Sequence, residues 1–101
     1  MSKTAVIVKL PLKEGTRDQL FSAFEPMLEH VNSEAGTEIY ILHADAGDEN
    51  VAWVYELYTD GDAMAAHSGS EVMAAMLGTL GDLLDGAPEF NMATPHAGKG
   101  L

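Results

Sequence analysis

Two hydrophobic periods alternate along this chain. Residues 4–10, TAVIVKL, are rich in β-branched and aliphatic side chains and predict a strand, broken by the PLKEG that follows. Beyond Thr16 the period changes: Leu20, Phe21, Phe24, Met27, Leu28 and Val31 recur at helical spacing and define one buried stripe. Thr16 followed by Gln19 is a capping-box pattern that places the helix start. Pro26 falls inside this helix, where it removes a backbone hydrogen bond at a cost of about 3 kcal/mol, so a kink is expected there.

Residues 37–44, TEIYILHA, and 51–59, VAWVYELYT, read as strands around the turn DAGDEN, and so short a connection makes them an antiparallel hairpin. Asp60 can cap a short helix running through Met64 to His67. Residues 68–70 reset the chain, and Val72, Met73, Met76, Leu77, Leu80 and Leu83 form a second helical stripe. Gly78 and Gly81 weaken that helix by about 1 kcal/mol each relative to Ala, and close packing is the expected reason for them. Residues 88–94, PEFNMAT, predict a last strand, and residues 95–101 a fraying, flexible tail.

The order strand, helix, strand, strand, helical pair, strand makes an α+β fold, an antiparallel sheet of the ferredoxin-like plan with helices on one face. With water on the other face, each strand should alternate apolar and polar residues. The third strand does not: Trp53, Tyr55 and Leu57 oppose Ala52, Val54, Glu56 and Tyr58. The second strand sets Ile39 and Ile41 against Tyr40 and Leu42. Both faces therefore call for a cover, and a second copy of the chain is the simplest one for the face the helices leave open.

Composition narrows the function. The length of 101 residues is one domain's worth, spanning 1–101. Sixteen acidic residues against five basic give a net charge of −11, which repels phosphate backbones and anionic lipid, so neither nucleic acid nor a membrane surface is an expected partner. No cysteine is present, which removes disulfides and thiolate chemistry. Neither a secretory signal nor a stretch near the ~20 apolar residues of a membrane span is found, and the expected location is the cytoplasm. The four histidines lack the spacing and supporting carboxylates of a metal site, and the acidic turn 45–50 lacks the ligand spacing of a calcium loop.

Residues 34–70 resemble the core of the antibiotic biosynthesis monooxygenase family. The shared pattern is Glu34-x-Gly36, Tyr40 and His43 on the second strand, an acidic turn, Tyr55-Glu56-x-Tyr58 on the third, and Ala63-x-x-x-His67 after a short helix start. The resemblance implies a dimeric α+β barrel. It also implies oxidation of a small phenolic, quinol or polyketide-like aromatic with O₂, using no flavin, haem or metal. The alternative is a ligand-binding or regulatory homodimer without turnover. Haem degradation is the weakest reading: that branch uses an Asn on its first strand and a Trp where this chain has Tyr58, and TAVIVKL contains no Asn.

Cofactor-free oxygenation needs a base, donors that hold the substrate oxygen, and a dry pocket. His67 is the candidate base, because imidazole titrates nearest neutral pH; its bland alternative is a helix-end contact. Glu56, in an apolar strand, must be hydrogen-bonded, paired or protonated, and His67 is its expected partner. The alternative partner for Glu56 is a backbone or basic group at a dimer interface. Tyr40 and Tyr58 offer hydroxyl donors on aromatic bodies, and Phe24, Leu28, Met73, Met76 and Leu77 would wall the pocket from the helix side. The plainer reading of each, taken alone, is ordinary sheet or core packing. Trp53 is expected to anchor packing at the sheet face or the dimer interface.

Overall fold

The computed structural model describes residues 2–101. Four strands, β1 (Thr4–Pro11), β2 (Thr37–Ala44), β3 (Val51–Tyr58) and β4 (Glu89–Ala93), form one antiparallel sheet in the order β2-β3-β1-β4. Helices α1 (Arg17–Ala23), α2 (Glu25–Val31), α3 (Gly61–Ser68) and α4 (Glu71–Leu80) complete the ferredoxin-like α+β plan. Residues after Ala93 form no further helix or strand. No helix among the described residues is long and apolar enough to cross a membrane.

Alternation decides which side chains meet the helices. On β1, Val6, Val8 and Leu10 are buried; on β3, Ala52, Val54 and Tyr58 join them. Leu20, Phe24, Met27 and Val31 from the first helical stripe and Met76 and Leu80 from the second close the same core. On the opposite face Ile41, Tyr55 and Ile7 lie side by side across three strands, with Ile7 38 % and Ile41 48 % exposed. This is the apolar face that the strand pattern leaves without a helix.

Pro26 does more than kink the first helical region. The chain breaks into α1 and α2 around Phe24, which caps the end of one and the start of the other, and Pro26 sits in the opening turn of α2, where its missing N–H is harmless. The Thr16 capping box does not form: the Thr16 hydroxyl donates instead to the carbonyls of Lys13, at 2.8 Å, and Leu83, at 3.3 Å. Nor are Gly78 and Gly81 packing requirements. A Cβ at Gly78 would meet nothing within 4 Å, and one at Gly81 only backbone carbonyls at 3.9 and 4.0 Å.

The acidic turn after β2 is a built loop. Asp45 accepts from the backbone N–H of Gly47 and Asp48 and, at 2.7 Å, from the indole of Trp53 on the open face. Arg17 donates to the carbonyls of Asp45, Asp48 and Val51, tying the loop to α1.

Candidate functional site

The site begins with a close approach. Gly36, just before β2, lies so near α3 that a Cβ there would stand 2.4 Å from the Ala63 Cβ. Asp60 starts α3 by accepting from the Ala63 N–H at 2.8 Å, as a β-region N-cap residue should. One turn after Ala63, the same helix carries His67 inward, where it is 2 % exposed.

His67 meets a carboxylate there, but the carboxylate is Glu34. Its Nδ1 lies 2.9 Å from Glu34 Oε1, which also accepts from the Thr37 hydroxyl at 3.0 Å. The other oxygen of Glu34 lies 3.3 Å from Nε2 of His30, one helical turn earlier in the chain. Burial alone would raise the Glu34 pKa; hydrogen bonds from His67 and Thr37 and the charges of both imidazoles outweigh it and hold the carboxyl below its ordinary value. The rings of Tyr40 and Tyr58 pack against His67 at 5.4 and 5.5 Å between centroids, both tilted.

A bulge at the start of β2 makes this possible. Thr37 pairs with Tyr58 and Tyr40 with Glu56, so the register shifts by one residue between Thr37 and Ile39. Without that extra residue, Thr37 and Tyr40 would point to opposite faces; with it, both point inward.

Glu56 takes a different partner. The Tyr58 hydroxyl donates to Glu56 Oε1 at 2.5 Å, two residues along the same face of β3. Glu56 is 7 % exposed, and burial pushes its pKa up against the opposing pull of the Tyr58 hydrogen bond and the His67 charge. Burial and nearby Glu56 push the phenols of Tyr40 and Tyr58 far above the usual tyrosine range, so both remain protonated donors.

Glu56 and Tyr40 border a cleft of about 310 Å³, its open mouth included, between the sheet and α1 and α4. The rest of its lining is apolar: Val8, Leu10, Phe24, Val54, Met73, Met76, Leu77, Leu80, Pro88 and Phe90. Neither the Tyr40 hydroxyl nor Glu56 Oε2 has a hydrogen-bond partner among the described residues, and neither is sealed away from open space. The cleft therefore presents one free donor and one free acceptor on an otherwise greasy wall, with no lysine or arginine in it. Its enclosed part is narrow, so a ring enters only when Met73, Met76 or Leu77 shifts; Leu77, at the rim, is 47 % exposed.

Of the residues singled out from the sequence, Glu56, Tyr40, Phe24, Met73, Met76 and Leu77 line this cleft. His67 and Tyr58 stand behind its wall, and Leu28 packs against the core. The expected Glu56–His67 hydrogen bond is replaced by two others, Glu56 with Tyr58 and His67 with Glu34. Glu34 was the omission. Its signal lay in the Glu34-x-Gly36 pattern ahead of β2, which names a position without naming its partner. No group of three or more His, Asp or Glu side chains among the described residues is placed to hold a metal ion.

The model of the antibiotic biosynthesis monooxygenase family matches residues 4–78. No curated protein is significantly similar in sequence. Among solved structures, a proposed antibiotic biosynthesis monooxygenase of Caulobacter crescentus is 24 % identical, with a TM-score of 0.89 over 95 % of this chain and 92 % of that one. Rv0793 of Mycobacterium tuberculosis is 23 % identical, with a TM-score of 0.88 over 97 % of this chain and 99 % of its own. PA3566 of Pseudomonas aeruginosa is 20 % identical, with a TM-score of 0.86 and coverages of 96 % and 97 %. At these identities the likeness is one of fold.

Proposed function

This chain belongs to the antibiotic biosynthesis monooxygenase family, and on that premise we propose that it oxidises a small, neutral phenolic, quinol or polyketide-like aromatic with O₂, unaided by a cofactor, as a homodimer. The observation that carries the reading is the pairing of Glu56 and Tyr40 as the polar groups of an apolar cleft. A flat molecule with one hydroxyl fits that pattern: its O–H faces Glu56, and its oxygen accepts from Tyr40.

The chemistry follows from the charge states. O₂ is a triplet and reacts slowly with closed-shell organics until they are made electron-rich. Glu56, its pKa raised by burial, is a stronger base than an exposed carboxylate and takes the phenolic proton. The Tyr40 hydroxyl donates to the oxyanion that forms, and the apolar walls keep water from the reduced intermediate. For an anthrone-like substrate the activated methylene becomes a carbonyl: one oxygen atom enters the product, the other leaves as water, and the substrate supplies all the electrons. His67 stands behind the tyrosines, and once it has taken up a proton its charge favours the ionised form of Glu56.

A cleft without a cation, in a chain of net charge −11, disfavours phosphorylated or carboxylated substrates. The apolar row Ile41–Tyr55–Ile7 supports a second copy as the cover of the open face.

Oxygen uptake with a panel of neutral quinols and anthrones tests the reading. Uptake with matching quinone formation, cut by about a hundredfold or more in Glu56→Gln, is expected. No uptake with any member, or equal turnover by Glu56→Gln, would overturn it.

A further inference from the structure

The Glu34–His67 contact has a chemical consequence for the imidazole. A carboxylate can only accept hydrogen bonds, and Oε1 of Glu34 faces both His67 and Thr37, while Oε2 lies 3.3 Å from Nε2 of His30. With Glu34 ionised, the atom facing it, Nδ1 of His67, must carry a hydrogen. Free histidine side chains favour the other neutral tautomer, with the hydrogen on Nε2. The tilted rings of Tyr40 and Tyr58 packed against it and the docking of α3 through Ala63 against Gly36 hold the imidazole in this orientation.

We propose that Glu34 is a positioning residue: it holds His67 as the Nδ1–H tautomer, leaving Nε2 as a bare acceptor on the side away from Glu34. Nε2 makes no hydrogen bond among the described residues. It is thus free to receive a proton, while Nδ1 is committed. Carboxylates that orient a histidine this way fix which nitrogen does the chemistry. Glu34 does not line the cleft, so its effect on turnover is exerted through His67. That effect, unlike the tautomer itself, rests on the proposed oxygenase reading.

Nitrogen-15 NMR of the imidazole, at a pH where His67 is neutral, reads the tautomer without any substrate. The wild-type protein is expected to show Nδ1 protonated and Nε2 bare. Glu34→Ala is expected to lose this single state for a mixture containing Nε2–H. Glu34→Gln keeps an acceptor oxygen facing Nδ1 and is expected to restore the wild-type pattern. In oxygen uptake, Glu34→Ala lowers kcat by about tenfold or more and leaves KM within about twofold, because ground-state binding does not involve Glu34. A wild-type Nε2–H tautomer, or a Glu34→Ala spectrum identical to wild type, overturns the assignment. If Glu34→Ala does not fold, the wild-type spectrum decides. The expected tautomers with no oxygen uptake by any form leave Glu34's role standing and overturn the oxygenase reading instead.

Discussion

Gly36 and Ala63 touch so closely that a single methyl group on Gly36 would come within 2.4 Å of the Ala63 side chain. The contact seats α3 against the entry to β2, and the Glu34–His67 hydrogen bond is made across that same junction. The glycine is needed for space and not for an unusual backbone angle, since its φ is not positive.

Gly36→Ala should therefore destabilise the protein by about 1–3 kcal/mol through overpacking. Adding Ala63→Gly removes the clash, at the expense of about 1 kcal/mol of helix propensity in α3. Urea unfolding of both single variants and the double is expected to show the double more stable than Gly36→Ala alone. Additive losses would mean that the two residues do not constrain one another.

Glu56 makes a second prediction through its raised pKa. A carboxyl whose native value exceeds its ordinary 4.5 binds its proton more tightly in the folded protein than in the unfolded chain, so its contribution is most favourable below 4.5 and is lost as pH rises through the native value. Glu56→Gln keeps an acceptor for the Tyr58 hydroxyl and never ionises. Its Tm should match wild type near about pH 4 and move above it as pH approaches about 8. A gap that does not change with pH would show that folding does not raise the Glu56 pKa.

Gly78 lies in the interior of α4 with open space where a side chain would go. Gly78→Ala is expected to add about 1 kcal/mol. In a domain of this size that is a rise in Tm of about 4–8 °C. A calorimetric scan at neutral pH measures it, and an unchanged or lowered Tm would mean that the glycine has a packing role after all.

Ile41 sits on β2 in the row that continues through Tyr55 to Ile7, on the face opposite the cleft. If a second copy covers that face, Ile41→Glu buries a charge within it and should shift the protein to monomers at micromolar concentration. Light scattering of wild type and variant side by side provides the check. A wild-type monomer removes the dimer.

Local periodicity and one spaced pattern made much of the fold legible along the chain. Alternation and helical spacing placed β1, both strands of the hairpin and the two helical stripes, because burying one face of an element demands only a rule about neighbours along the chain. The Asp60 cap and the apolar opposition within VAWVYELYT were equally local. The spacing of Glu34, Gly36, Tyr40, Glu56, Tyr58 and His67 carried the family. Which of these polar side chains pair is settled by contacts between distant parts of the chain. Glu34 and His67 are 33 residues apart, and their meeting depends on the bulge at the start of β2 and on the fit of Ala63 against Gly36. Both are questions of register and volume, and no periodicity encodes them. The same holds for Glu56: its strand position was plain, but whether it faced His67 or the Tyr58 hydroxyl turned on where neighbouring side chains left room.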